Sequence, residues 1–406
     1  MQLIRENYLN MIRPFYEADL IKVITGVRRA GKSVILACIR DELSRSGVQD
    51  DHLIYINLED LDYEGLQTAS DLSREVKAHI TDSGRYYLFI DEIQHVDRFE
   101  KALASFRATL NASIFVTGSN SQLLSGEMAT LLTGRTVEFE ILPFSFSEMK
   151  AYAELKGLPF SDDQIYDYLK WGGFPLRFDF TAEGDIHRYL SNLYTGILNR
   201  DILNHRSRID RKIFMDIAMY VLSNAGKEFS AESIMAYYEQ KNHRRVSQRT
   251  VYSYIEKMQK AFLIHPVQKY DIVGKTALQS KQKYYAVDTG LRTIQTNTIN
   301  YEDTFFLENI VYNELLFQGF QVFTGKTHKG EVDFVAIRNG KKCFIQVSYL
   351  LASQSTIDRE FGAFAPITDA SPKYVLSLDR LNLSRDGIAH MNIVDFLLHR
   401  QSLALT

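Results

Sequence analysis

Cysteine, long apolar runs and net charge are all scarce in this 406-residue chain: two cysteines, no run approaching the 18 or so residues of a membrane-spanning helix, and a balance of −3. Cys38 and Cys343 lie far apart, in apolar helix and strand patterns, so reduced core residues of a cytosolic protein are expected rather than a disulfide framework. With 47 Lys and Arg against 50 Asp and Glu, no whole-chain charge argument for nucleic acid is available, and any such argument has to be local. Met1-Gln2-Leu3-Ile4-Arg5-Glu6-Asn7 carries charge too early for a signal sequence, which points to a cytoplasmic protein without a membrane partner. What remains is an ordinary globular composition, 45% hydrophobic and 24% charged. At about 150 residues per domain, the length predicts two or three domains, each with its own core.

Gly26-Val27-Arg28-Arg29-Ala30-Gly31-Lys32-Ser33 is a complete GxxxxGK[ST] loop. It follows the apolar run Ile21–Thr25 and leads without a breaker into Ser33-Val34-Ile35-Leu36-Ala37-Cys38-Ile39. A buried strand before the loop and a helix after it aim backbone N–H groups at phosphate, with Lys32 reaching the β/γ oxygens and Ser33 taking a Mg2+ position. ATP with Mg2+ is the expected ligand, bound through Gly26, Arg28, Arg29, Ala30, Gly31, Lys32 and Ser33.

Asp91-Glu92 follows Lys32 by 59 residues and closes the aromatic-rich run Tyr86-Tyr87-Leu88-Phe89-Ile90. Such a run reads as a buried parallel strand that delivers two carboxylates to the edge where ligands of open α/β sheets bind. Asp91 is the expected metal residue and Glu92 the group that polarises the attacking water. An ordinary strand ending in a helix-capping Asp-Glu pair is the blander alternative. Strand-like runs at 21–25, 53–58, 86–91, 113–118 and 137–142 alternate with helical stretches, which predicts a parallel sheet covered on both faces. The run 113–118 ends near Asn120, expected to hold the attacking water, with a turn residue as the alternative.

Together with Phe89-Ile90-Asp91-Glu92-Ile93-Gln94, Thr117-Gly118-Ser119, Gly134-Arg135 and Leu142-Pro143-Phe144-Ser145-Phe146-Ser147-Glu148, the loop resembles the AAA-type ATPases common in prokaryotes and largely uncharacterised. Trp171-Gly172-Gly173-Phe174-Pro175 is similar to the Gly-Gly turn that follows the ATPase module in that group. The resemblance implies an α/β P-loop AAA-type domain over 1–150, a helical connector and winged helix over 151–275, and a restriction-endonuclease-like domain over 276–406. It also implies an arginine that completes the phosphate site from the same or a neighbouring subunit; Arg135 is the candidate, leaving a homo-oligomer open, and a surface arginine after a turn glycine is the alternative.

In the connector, Ile165, Tyr168 and Leu169 share one face, and Tyr189, Leu190, Leu193, Tyr194, Ile197 and Leu198 recur at helical spacing, as core residues do. Ser247 precedes a helix with Tyr252, Ile255 and Met258 on its apolar face, then Leu263 and a β-like Ile264-His265-Pro266-Val267, which suits a recognition helix and wing. Residues 241–260 carry six bases, Lys241, Arg244, Arg245, Arg249, Lys257 and Lys260, against Glu256, a local +5 that fits DNA phosphates. A protein-docking module or a merely solvated face has the same signature.

The last domain departs from the family pattern. Glu308 in a helical run, Glu331 and Asp333 in a strand, then Gln346 and Ser348 follow the order of a restriction-type nuclease whose active form would end in Glu-x-Lys. A neutral amide brings no charge to a metal, and a serine cannot stand in for an ammonium, so a retained scaffold without cleavage activity is expected. Lys341 or Lys342 could supply a displaced ammonium, although both sit in a turn-like Asn339-Gly340-Lys341-Lys342 where a solvated charge is the simpler reading. The expectation is an ATP hydrolase that switches a DNA-associated winged helix. Its rivals are an ATP-regulated nuclease and an ATP-gated protein-interaction module.

Overall fold

The computed structural model describes residues 2–119, 131–203, 209–295, 304–328 and 330–405, with the side chains of 278–281 left aside. The chain divides into two compact units, Met1–Leu142 with Lys260–Phe262, and Pro143–Gln259 with Leu263–Thr406.

The first unit is built on five strands: β1 (Ile21–Thr25), β2 (Leu53–Asn57), β3 (Tyr86–Asp91), β4 (Ala112–Thr117) and β5 (Thr136–Glu140). All are parallel, in the order β2-β3-β4-β1-β5. The runs expected at 21–25, 53–58, 86–91, 113–118 and 137–142 each appear within two residues of their predicted ends. Every residue of β1 and β3 is buried, as central strands covered on both faces require. Among the described residues, the unit also holds helices α1 (Glu6–Ile12), α2 (Lys32–Arg45), α3 (Ala69–Ala78) and α4 (Phe99–Thr109). The apolar stripes of α3 and α4 close a core in which Leu72, Val76, Leu103 and Phe106 pack with Ile54, Leu88, Ile90 and Ile114.

The second unit opens with α5 (Phe146–Lys156), α6 (Ile165–Trp171) and α7 (Glu183–Ile197), followed by α8 (Arg211–Ser223), α9 (Ala231–Asn242) and α10 (Gln248–Lys260). The Gly172-Gly173 turn after α6 has a direct cause. A Cβ on Gly172, at φ 68°, would lie 1.9 Å from Asp288 Oδ1, and one on Gly173 would lie 2.0 Å from Phe144 O. Asp288 Oδ2 accepts the Gly173 N–H at 2.6 Å, so only two glycines let this carboxylate cap the turn.

Beyond α10 comes the hairpin β6 (Ile264–Asp271) and β7 (Thr276–Ala286), then α11 (Thr289–Thr293) and α12 (Thr304–Phe317). Strands β8 (Gln321–Thr327), β9 (Gly330–Arg338), β10 (Lys341–Val347), β11 (Lys373–Ser377) and β12 (Ala389–Asn392) follow, with α13 (Gln354–Gly362) before β11 and α14 (Ile393–Leu397) at the end. They form one mixed seven-stranded sheet, β12-β11-β10-β9-β8-β6-β7. The β-like segment expected at Ile264–Val267 thus opens a hairpin at the edge of this sheet, with Lys269, Tyr270 and Asp271 of β6 paired in parallel with Thr324, Gly325 and Lys326 of β8. Helix α12 is buried along most of its length, Leu307, Ile310, Val311 and Leu315 packing with Phe334, Ile345 and Leu376.

Candidate nucleotide-binding site

The loop leaves β1 through Gly26 at φ 131°, where a Cβ would meet Ile141 O at 2.3 Å, so glycine is required by both backbone and space. Arg29 (φ 68°) and Gly31 (φ 103°) also take left-handed backbone before α2 begins at Lys32. Lys32 is buried, and its ammonium donates to Gly26 O at 3.1 Å and Val27 O at 3.3 Å. Ser33 and Arg29 are exposed, Ala30 is buried, and Arg28 donates to Glu59 at 3.2 Å. From α1's N-terminal side the buried Arg5 donates to Ala30 O at 2.9 Å and lies 4.6 Å above the Tyr8 ring, pinning the loop from outside its motif.

At the end of β3, Asp91 accepts hydrogen bonds from Thr117 Oγ1 and, at 3.2 Å, from the Tyr55 hydroxyl. Burial and the adjoining Asp91 carboxylate push the Tyr55 phenol above its usual range, which keeps it a proton donor. Thr117 also accepts the Glu92 N–H at 2.9 Å, so one hydroxyl at the end of β4 ties both acidic positions together. Glu92 sits in left-handed backbone at φ 55°, an uncommon conformation for a side chain and a frequent one at functional sites. Its Oε2 accepts from Gln94 Nε2 and, at 3.3 Å, from Ser119 Oγ, while its Oε1 is 4.0 Å from Lys32 Nζ. Burial raises the Glu92 carboxyl, but Lys32, the Gln94 hydrogen bond, Arg28 and His95 outweigh it, and the net pKa lies below the ordinary value.

Lys32, Asp91 and Glu92 are thus brought together at one sheet edge. Asn120 lies outside the described residues. Arg135 is not brought to this edge: its carbonyl accepts from Ile21 N at 2.9 Å, beside the first residue of β1, whereas the loop follows the last. Four strand steps, about 13 Å, lie between, beyond the reach of its side chain. Sequence reasoning missed Arg5, Tyr55, Thr117 and Gln94. Thr117 and Gln94 stand in the quoted motifs; Arg5, far upstream of the loop it pins, carries no local signal.

The second unit holds a cavity of about 960 Å³ lined by Glu308, Glu331, Asp333, Gln346, Glu360 and Lys227 among others. The four C-terminal positions from Glu308 to Gln346 therefore meet, while Ser348 is not in the lining and its hydroxyl donates to Leu350 O at 3.4 Å. Val347 N donates to Asp333 Oδ2 at 2.8 Å, and Gln346 Oε1 accepts Asp333 N–H at 3.3 Å. Burial pushes the Asp333 carboxyl up to about 6, against the opposing pull of Lys283. Glu331 is held by Lys269 at 2.9 Å and Lys283 at 3.6 Å, and Lys342 pairs with Asp369 at 2.6 Å instead of entering the cavity. Of the six bases at 241–260, Lys241 pairs with Asp216 and Arg245 with Glu239, while Arg244 and Arg249 are exposed. Tyr252, expected on the apolar face of α10, is 54% exposed; Tyr254 is buried in its stead. Among the described residues, no helix is long and apolar enough to cross a membrane.

A family described as an AAA domain matches residues 18–150, and a domain of unknown function matches 162–301. An uncharacterised protein of Haemophilus influenzae is 34% identical over 401 residues, covering 97% of this chain and 98% of its own. One of Methanocaldococcus jannaschii is 31% identical over 380 residues, covering 89% and 81%. The chain belongs to the same family as these two proteins, and its first unit is an AAA-type P-loop domain. The structure of the Aeropyrum pernix ORC1 protein in complex with DNA overlaps 73% of this chain and 92% of its own at 13% identity with a TM-score of 0.30, an overlap that carries no argument about function.

Proposed function

We propose that this protein binds ATP with Mg2+ and hydrolyses it, and that the nucleotide state repositions a DNA-associated winged helix and a nuclease-like scaffold without cleavage activity. The observation that carries the reading is the 4.0 Å approach of Lys32 and Glu92 beside an Asp91 held by two hydroxyl donors. The exposed Ser33 hydroxyl and the Asp91 carboxylate are hard oxygen donors suited to Mg2+, which when bound would neutralise charge on the transferring phosphate. Lys32 holds the β/γ oxygens, and Glu92, ionised at neutral pH, takes a proton from the attacking water. Three domains are proposed over 1–150, 151–275 and 276–406; the helices α8–α10 followed by the β6–β7 hairpin support the middle one as a winged helix, with Arg244 and Arg249 as phosphate contacts. The chain would act in the cytoplasm.

The test is ATP turnover measured beside a DNA titration with and without ATP at two salt concentrations. Binding that weakens steeply with salt and changes with ATP supports the reading; binding that ignores DNA and salt favours an ATP-gated protein module. A nuclease is the second reading, favoured by the convergence of Glu308, Asp333 and Gln346 on one cavity, and metal-dependent cutting of plasmid DNA would establish it.

A further inference from the structure

Gln94 belongs to the short 3-10 turn Ile93–His95 immediately after Glu92. Its Nε2 donates to Glu92 Oε2, which fixes the amide's orientation, because the reverse would set two oxygens against each other. The other end of that planar amide, Oε1, is buried and accepts no hydrogen bond from the described residues. A buried carbonyl oxygen without a donor is costly, and beside a candidate active site a water or substrate that completes it is one way the cost is met. Ser119 shares Oε2 with Gln94, and Oε1 of Glu92 faces Lys32. The carboxylate therefore has one oxygen anchored by two donors and one directed toward the phosphate-binding lysine. The left-handed backbone at Glu92, locked by the Thr117 hydrogen bond to its amide, sets the anchored side beside Gln94.

We propose that Gln94 is a second catalytic residue for ATP hydrolysis, its Nε2 orienting Glu92 and its Oε1 accepting one O–H of the attacking water. In this step the water oxygen forms a bond to the γ-phosphorus, and the bond from that phosphorus to the bridging oxygen breaks, its electron pair leaving with ADP. One water proton passes to Glu92 Oε1; the other stays on the new phosphate, directed at Gln94 Oε1. Two acceptors on one water fix its lone pair along the line of attack, which is positioning that neither residue supplies alone. The inference rests on Glu92 acting as the general base.

The experiment is steady-state ATP hydrolysis by full-length wild type, Gln94→Ala, the near-isosteric Gln94→Met, Glu92→Gln and the double variant Glu92→Gln/Gln94→Ala, with ATP-induced melting shifts on each. Gln94→Ala and Gln94→Met should lower kcat about 10- to 100-fold, the scale of a hydrogen bond to a charged group, at unchanged KM and melting shift. The double variant should lose no more than Glu92→Gln, since both act on one water. Wild-type kcat in both single variants, or full additivity in the double, overturns the role of Gln94 while Glu92 stands. Wild-type hydrolysis in Glu92→Gln overturns the general base and this inference with it.

Discussion

Lys32 Nζ stands 4.0 Å from Glu92 Oε1, with both side chains buried, so a single ammonium serves the phosphate-binding loop and the acidic strand edge at once. The pairing explains how an anion can be kept next to the place where phosphates dock. Without a cation beside it, a buried carboxylate would protonate, and a protonated Glu92 can take no proton from water. The proposed phosphate contact of Lys32 and the proposed base role of Glu92 therefore meet in one ion pair.

Lys32→Ala should lose most ATP affinity while the fold persists. ATP at about 100 times its dissociation constant stabilises a protein by roughly 2.7 kcal/mol, and differential scanning fluorimetry of the variant should show little of that shift. An undiminished ATP-dependent shift would remove Lys32 from the phosphate site.

Glu92→Gln should bind Mg-ATP nearly as wild type does and hydrolyse it about 10²–10⁴-fold more slowly. The sign of the pH effect follows from the depressed carboxyl. Its base form is present above that value and is lost as pH falls through it, so Glu92 imposes no limb near neutrality. A wild-type limb between about pH 6 and 8 that disappears in Glu92→Gln would contradict this environment.

Much of the first unit was legible because its information is local. Largely apolar runs mark the central strands, and the glycine-lysine loop, Asp91 and Glu92 announce themselves by residue type and context. What joins them is long-range. The Thr117 bridge between β4 and β3, the Tyr55 hydroxyl and the Arg5 contact with Ala30 depend on strand order and on packing across 25 residues or more, which spacing does not encode. Arg135 shows the converse. Its Gly-Arg context matched a motif, yet parallel pairing of β5 with β1 puts it at the wrong end of the strand. The continuity of the β6–β7 hairpin with the last sheet was not legible either, because β6 has a second partner, β8, more than fifty residues later.

Arg135→Ala should leave ATP affinity unchanged, since the residue is remote from its own loop. If it completes a neighbour's site, hydrolysis per protomer should rise with protein concentration in wild type and lose that rise in the variant. A concentration-independent loss of turnover would instead require Arg135 to reach the loop of its own chain.

Asp333→Asn should change how stability depends on pH. The Asp333 carboxyl titrates near 6 when folded against an ordinary 3.8, so its contribution is present below about pH 4 and is lost as pH rises through 6. The melting temperature of the variant relative to wild type should therefore increase from pH 4.5 to 7.5. A difference that stays flat or falls would mean that Asp333 is ionised in the folded protein throughout.

The cavity in the second unit gives the last prediction its geometry. Gln346 Oε1 already accepts the Asp333 amide, and a glutamate there would keep that bond while adding a charge beside a carboxyl that burial already resists ionising. That second charge is tolerable only with a cation between the two, which is the arrangement a divalent metal provides. The ammonium is harder to restore, because the Ser348 hydroxyl is directed at Leu350 O and Ser348 is absent from the lining. Wild type should leave plasmid DNA uncut with Mg2+ or Mn2+ under any nucleotide condition. Gln346→Glu with Ser348→Lys should gain at most weak, metal-dependent cutting that Asp333→Ala abolishes. Cutting by wild type that is lost in Asp333→Ala would make the scaffold an enzyme and put nuclease activity first.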